Sequence, residues 1–397
     1  MAGEMGTDRV LVVGYRSAIA ERLNARGVEF VVWHDRPIRK RRIPGCVGRI
    51  GPLPFSAHAP TIRKQLAELF EPSTRFAHVI AGTESSVVTA SVARRALGSR
   101  KSKDTVVLRC HNKRMMKEFM RDQGIPLIPF RYCGGKKDGT ALSADALVEE
   151  FGLPLVVKPL RNSGGRGVVF AEHVQELEPY VARRVLFEKF VDAPEVSVES
   201  FVRNREILFT SMTQYVEKRQ VNLVPSGHSA ALNARVLELN RRVLRALNLE
   251  WGLTHAEYYL DGDQVYFGEI ALRPPGGYIM DLISASHDFD AWGAFVDNEL
   301  ALEPSFGRPS RFAAAALFHP GAGIIEAIDG VEAIRRDSLC LKLHLYVGPG
   351  DTLLPRDGVS EAAAYALFCG QSRARTLAAV RRAKRLLRFK MRARPVV

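Results

Sequence analysis

The stretch GLTHAEYYLDGDQVYFGEIALRPPGG, residues 252–277, constrains this chain more than any other. Two strand-length runs flank the turn DGD at 261–263, which predicts a β-hairpin. Side chains alternate between faces along a strand. On the first strand His255, Glu257 and Tyr259 therefore share a face. On the second, Phe267, Glu269, Ala271 and Arg273 share one face, and Gly268, Ile270 and Leu272 the other. Two prolines and two glycines stiffen the turn that follows. Two glutamates on adjacent strands, facing the same side, suit a hard oxygen-binding cation such as Mg2+. Without one they would repel each other and, if buried, lose their hydration. Either glutamate taken alone reads better as an exposed residue on a solvated sheet face.

The N-terminus supplies a different pattern. RVLVVGYRSAIAERLNARGVEFVVWHDR reads as strand, turn, helix and strand, with Gly27 as the helix stop. Such a βαβ unit predicts a parallel sheet. Gly14 stands alone, with no G-x-G-x-x-G, so a dinucleotide site is not indicated. FAHVIAGTESSVVTASVARRALG repeats the form, with a strand ending near Ala81 and a loop presenting Thr83 and Glu84. Ligands bind at the carboxyl ends of strands in such sheets, which is where Glu84 falls. The helix HNKRMMKEFMRDQG carries Met115, Met116, Phe119 and Met120 on one side, read as core. The turn-rich GGKKDGT, 134–140, reads as a connector.

LPLVVKPLRNSGGRGVVFAEH, 153–173, predicts a strand ending in Lys158, a glycine-rich loop and a second strand. Gly164, Gly165 and Gly167 would let backbone amides approach a phosphate, with Lys158 and Arg166 adding positive charge. A hairpin with a flexible tip fits the same residues equally well. No G-x-x-x-x-G-K-[ST] occurs. In VLFEKFVDAPEVSVESFV, 185–202, two strand-like runs flank DAP, and Glu188, Glu195 and Glu199 lie among apolar neighbours.

The order of these elements resembles the ATP-grasp superfamily. It runs from a helical lysine through a lysine-ended strand with a glycine loop and an E-K-F-V strand to a Glu…Glu hairpin ending in arginine. Within the superfamily it looks most like the carboxylate–amine ligases related to L-amino acid ligases and, more distantly, biotin carboxylase. The resemblance implies an α/β chain of α+β lobes. A Rossmann-like parallel-sheet domain would occupy 1–121, an ATP-grasp lid lobe 122–187, a catalytic lobe 188–310 and a β-rich C-terminal lobe with a basic tail 311–397. It implies ATP and Mg2+ as cofactors. Lys113 and Lys158 would hold the phosphates, with Ser163, Gly164, Gly165 and Gly167 forming the lid over them. Glu188 and Val191 would flank the adenine, with Lys189 and Phe190 between, and Glu195 would take the ribose hydroxyls. Glu257 and Glu269 would ligate Mg2+. Arg273, catalytic with Lys158, would stabilise the developing phosphate or the substrate carboxylate. Glu84, His228, Gly276 and Gly277 would line the substrate pocket with Arg273.

The family pattern is E-I-N-x-R, and this chain has Ala271 at the Asn position, so water would complete that part of the metal shell. Both glutamates, both lysines and Arg273 remain, so activity is expected. The implied reaction is amide formation between a carboxylate and an amine through an acyl phosphate, releasing ADP and phosphate. Small carboxylates and amines would be its substrates. Two alternatives stand beside it. One is transfer of the acyl group to an acidic carrier protein, and the other is an ATP-binding protein without turnover.

Charge bears on the first alternative. Ten Arg and Lys and no Asp or Glu lie between Gln371 and Val397, and they account for most of the net charge of +14. Such a tail could form a helix with Arg381, Arg385, Arg388 and Arg392 near one side. Without stacking aromatics or zinc ligands, the basic residues do not indicate nucleic acid. Five scattered cysteines argue against a disulfide framework, and no apolar run is long enough for a bilayer. A cytoplasmic protein is expected, with a homodimer a reasonable prior for a symmetric cytosolic enzyme.

Overall fold

The computed structural model describes residues 9–99, 103–135, 142–358 and 361–393. The N-terminal apolar runs form β1 (Val10–Val13), β2 (Phe30–Trp33), β3 (Cys46–Ile50) and β4 (His78–Ala81), all parallel in the order β3-β2-β1-β4. Every residue of β1 and β2 is buried, as expected where both faces of a parallel sheet are covered. The intervening amphipathic segments form α1 (Ser17–Ala25), α2 (Ala59–Leu69) and α3 (Val87–Ala96). β1 and β4 end side by side. A Cβ on Gly82 would lie 2.0 Å from the Gly14 carbonyl oxygen, so bare backbone is needed there. That close approach sets Arg16 and Glu84, each just past its strand, at one end of the sheet.

α4 (Asp104–His111) and α5 (Lys113–Asp122) follow. The Asn112 side chain caps α5 by accepting from the amides of Arg114 and Met115. The methionine face is core only in part. Met116 and Met120 are buried, but Met115 is exposed, and the buried stripe also takes in Lys113 and Lys117 one turn apart.

β5 (Phe130–Gly134), β6 (Leu155–Pro159), β7 (Val169–Ala171) and β8 (Arg184–Lys189) make an antiparallel sheet ordered β5-β8-β6-β7, with α6 (Ala144–Phe151) packed on it. The connector read at 134–140 lies outside the described residues beyond Gly135. β8 runs to Lys189, past the lobe boundary read at 187.

A third, eight-stranded antiparallel sheet holds β9 (Glu195–Arg203), β10 (Glu206–Glu217), β11 (Val221–Val224), β12 (Trp251–Asp261), β13 (Gln264–Ala271) and β14 (Phe312–Phe318). The C-terminal strands are β15 (Gly323–Asp329), β16 (Cys340–Leu345), β17 (Thr352–Leu353), β18 (Ala364–Gly370) and β19 (Arg388–Arg392). Of these, β16 and β18 extend the eight-stranded sheet beyond β14, so it runs unbroken across position 310. The remaining helices are α7 (Ala230–Leu247), α8 (Ile279–His287), α9 (Ala291–Glu299), α10 (Val331–Arg335) and α11 (Arg373–Leu386). α8 and α9 lie between the two large sheets, where Ile283, Trp292 and Phe295 share one apolar cluster with Val12, Ile19 and Ala315. The α/β expectation holds: a parallel N-terminal sheet is followed by antiparallel lobes.

Two expectations fail. Phe267 does not share a face with Glu269. Glu257 pairs with Glu269 but Tyr258 pairs with Phe267, so Gly268 is an extra residue in β13. This β-bulge turns Phe267 into the apolar cluster with Tyr258 and Ile270. The basic tail is not one helix either. α11 lays Leu377, Val380 and Ala383 into the core and ends at buried Leu387. The chain then enters β19, which pairs with β15. Arg388 and Arg392 therefore do not extend the helix face of Arg381 and Arg385.

Candidate active site

The hairpin prediction for the two glutamates holds at its centre, since Glu257 and Glu269 stand directly opposite in register. The sheet brings cations to them. Lys113, at the start of α5, reaches Glu269 Oε2 at 2.9 Å and donates to the Asn162 carbonyl at 2.9 Å. Glu257 accepts from Tyr215 Oη at 2.9 Å and has His255 Nε2 at 3.4 Å. The other imidazole nitrogen lies 2.8 Å from fully buried Glu199, which also accepts from Ser197 and Thr213. Burial alone would lower the His255 pKa, but the two carboxylates raise it to about 9. Burial alone would raise that of Glu257, and His255 and Tyr215 bring it down to about 2.

A second charged knot adjoins this one. Glu188, on β8, is 2% exposed and sits between Lys117, at 2.9 Å, and Lys158, on β6. Burial opposes its charge, yet the two ammonium groups hold its pKa at about 2. Glu195 pairs with Lys218, and Tyr259 has the ammonium groups of Lys158 and Lys218 within 6 Å of its ring. Phe190 packs edge-to-face on Phe170, whose ring also lies under Lys218. Gly164, Gly165 and Gly167 all have positive φ, which opens their amides without side-chain cost. The loop is tied to the C-terminal region, where the Gly167 amide donates to Asp357 at 3.1 Å.

The third part joins the N-terminal sheet to the hairpin. Arg273 Nε reaches Glu84 Oε2 at 2.7 Å, and His111 Nδ1 lies 3.0 Å from the other oxygen. Against the effect of burial, Arg273 and His111 lower the Glu84 pKa to about 2. Gly277, at φ 60°, accepts from Asn222, and the following Tyr278 bonds Tyr346 of the C-terminal lobe at 2.6 Å.

Comparison with known proteins decides what this arrangement is. The ATP-grasp domain model matches residues 118–286, and the model for L-amino acid ligase C-terminal domain 2 matches 316–392. The chain carries an ATP-grasp domain followed by a domain of the L-amino acid ligase type. The L-arginine-specific L-amino acid ligase of Bacillus subtilis is 24% identical over 320 residues, covering 74% of this chain and 75% of that protein. An uncharacterised protein of Sinorhizobium fredii, y4rH, is 25% identical over 69% of this chain, a match spanning 60% of its own length. The L-amino acid ligase structure from Bacillus licheniformis superposes with a TM-score of 0.80, at 19% identity, over 98% of this chain and all of that one. At that identity the superposition speaks for the fold, which is ATP-grasp.

Within this ATP-grasp frame, the structure gathers Lys113, Lys158, Glu188, Glu195, Glu257 and Glu269 into one cluster of interacting charges, with Arg273 and Glu84 joined as a pair. His228 begins the turn into α7, half-buried beside Arg373, and both effects lower its pKa. Lys117, Lys218, His111 and Arg16 escaped the sequence reading, which placed His255 on the face of Glu257 without giving it a role. Lys117 had a readable signal, since it lies one helical turn from Lys113. Arg16 had another, since it follows a strand end as Glu84 does.

Proposed function

We propose that the chain joins two L-amino acids into a dipeptide at the expense of ATP. One observation carries this reading. A carboxylate pair, Glu257 and Glu269, faces Lys113 beside the Lys158–Glu188–Lys117 knot, and Arg273 lies two residues past the end of the strand bearing Glu269. A carboxylate oxygen of the donor amino acid displaces ADP from the γ-phosphorus, giving an acyl phosphate. The acceptor amine then attacks the acyl carbon, phosphate leaves, and the amine gives up a proton.

The protein's part is positioning and charge neutralisation, as in other phosphoryl transfers. Lys158 and Lys113 meet the phosphates. They come from the lid and from α5, so nucleotide binding draws these elements together. In the free chain each is held in place by a carboxylate, Glu188 for one and Glu269 for the other. Arg273 is fixed by Glu84 and the Pro274 carbonyl, so it meets the acyl phosphate without reorganising. Glu195 would accept from the ribose.

The residues fit magnesium. Among the described residues no group of three or more His, Cys, Asp or Glu could hold a metal by itself. Mg2+ is usually bound by one or two carboxylates together with substrate phosphates and water. Glu257 and Glu269 would hold it, and it would neutralise phosphate charge. Ala271 leaves that coordination to water.

Of the basic tail, Lys384 pairs with Glu217, Arg382 with Asp337, Lys390 with Asp329 and Arg392 with Glu326, while Arg381, Arg385 and Arg388 stay exposed. No helix among the described residues is long and apolar enough to cross a membrane.

Phosphate release from Mg·ATP with pooled L-amino acids, followed by mass spectrometry, tests the proposal. Pool-dependent release with a new mass equal to two components minus water is the expected result. ATP binding without release across the whole pool would sink it.

A further inference from the structure

Three arginines at the start of the chain face α9 and the turn after Arg273, and only two are matched by carboxylates. Arg26 grips Asp297 with hydrogen bonds of 2.6 and 2.7 Å, and Arg22 grips Asp290 with bonds of 3.0 and 3.2 Å. Both are ordinary fork-to-carboxylate pairs that fasten α1 to the α8–α9 region. Arg16, which immediately precedes α1, pairs with no carboxylate among the described residues. It makes one long hydrogen bond, 3.3 Å, to the Pro275 carbonyl, and its guanidinium lies 5.4 Å over the Trp292 ring.

A guanidinium has five N–H donors, so one weak bond leaves most of its capacity unused. After burial, the charge that acts on it most is another cation, Arg273, and together they lower its pKa to about 10. Asp281 acts more weakly in the opposite sense. A partly buried cation beside a like charge is unfavourable unless an anion joins it. Arg16 also stands where ligands bind in such sheets, past the carboxyl end of β1.

We propose that Arg16 binds the α-carboxylate of the acceptor amino acid, the one whose amine attacks the acyl phosphate. This rests on the dipeptide-ligase reading. The reaction involves two carboxylates. The donor's is converted to an acyl phosphate. The acceptor's keeps its charge from binding through to product, so it needs a cation that the phosphates and the acyl group do not take. Lys113 and Lys158 are given to the phosphates and Arg273 to the acyl phosphate, and each already has a carboxylate partner, as Lys218 has Glu195. Arg16 pairs with no carboxylate among the described residues, and it stands next to Arg273, so a bound acceptor lies alongside the acyl group it must attack.

The test is Arg16→Gln with Arg16→Lys beside it, in the full chain. Phosphate release is measured while donor, acceptor and ATP are varied separately, using an amino acid pair that the wild type joins. Charge-assisted hydrogen bonds of this kind predict an acceptor KM raised about 10- to 100-fold in R16Q. R16K should lose less, since it keeps the charge but not the fork. KM for donor and for ATP should not move, and thermal melts should match the wild type. The acceptor's carboxamide supplies the readout that a merely structural role would not move. Wild type should discriminate against it and R16Q should not. An unchanged acceptor KM, a rise in donor KM instead, or discrimination that survives in R16Q overturns the assignment. If the wild type joins no pair at all, the ligase reading fails by itself. Calorimetry of L-amino acids and their carboxamides against the ATP-loaded protein then decides Arg16 separately. Carboxylate-dependent binding lost in R16Q supports it, and equal binding by both proteins overturns it.

Discussion

The two ends of the site are built on opposite electrostatic rules. At the nucleotide end the carboxylates are answered within the chain. Glu188 lies between two lysines, Glu269 meets Lys113, Glu257 meets His255, and Glu195 meets Lys218. At the substrate end Arg16 has no carboxylate partner among the described residues, and it faces the open turn after Arg273. The first end is assembled before any ligand arrives, and its ion pairs substitute for the phosphates and metal it would later hold. The second end depends on the ligand to complete it. The difference teaches where substrate identity resides: a matched cluster can serve any substrate of the fold, while an unmatched cation selects one.

The contrast is broken most severely at Glu188. Removing one partner from a buried ion cluster leaves uncompensated charge, so Glu188→Ala should lower stability by about 3–5 kcal/mol. A leftward shift of the urea unfolding transition checks this. Arg16→Gln should not lower the transition, because it removes a cation that lacks a partner. Equal losses at both positions would erase the distinction. Next comes Glu269→Gln. Loss of preorganised charge stabilisation at one group predicts a fall in kcat of about a hundredfold or more. ATP binding measured by calorimetry should survive, because Lys113 and Lys158 remain.

How much of this was legible depended on whether a residue's partner lies close to it in sequence. The Glu257–Glu269 opposition could be read because a short turn fixes both strands and their period is two. The same strand misled at Phe267, since a bulge is decided by the partner strand and Gly268 alone does not announce it. Lys117 was hidden among methionines that read as an apolar helix face, and the carboxylate that makes it tolerable lies on β8. His255 needed Glu199 from β9, and Arg16 needed α9 to show which of its neighbours were matched. The tail was misread because arginine-rich residues favour helix equally on both sides of Leu387, and only pairing with β15 makes the second part a strand.

Acid should loosen the join between the two ends. Glu84 is held at a pKa of about 2 by Arg273 and His111, below the ordinary value of about 4.3 for an unfolded glutamate. A depressed carboxyl pKa contributes stability that is fully present above the unfolded value and lost as pH falls through the folded one. Unfolding should therefore become easier between about pH 4.3 and 2. Glu84→Gln removes that part of the dependence, so its melting temperature should fall less over the same window. A wild-type-like acid slope in the variant would show that the Glu84–Arg273 join contributes little. The effect should be smaller than at Glu188, which has two lysine partners and far less exposure.

The smallest effect should come from restoring the family residue at Ala271. Ala271 lies opposite His255 in register, and His255 is already fixed by Glu199. Asparagine there would add one oxygen ligand to a metal that readily keeps waters. Ala271→Asn should therefore tighten the apparent Mg2+ dependence of phosphate release by less than about tenfold, roughly the worth of one hydrogen bond, and leave kcat nearly unchanged. If kcat instead rose by orders of magnitude, Ala271 would mark a crippled nucleotide end, and the claim that this end is complete without its usual asparagine would fall.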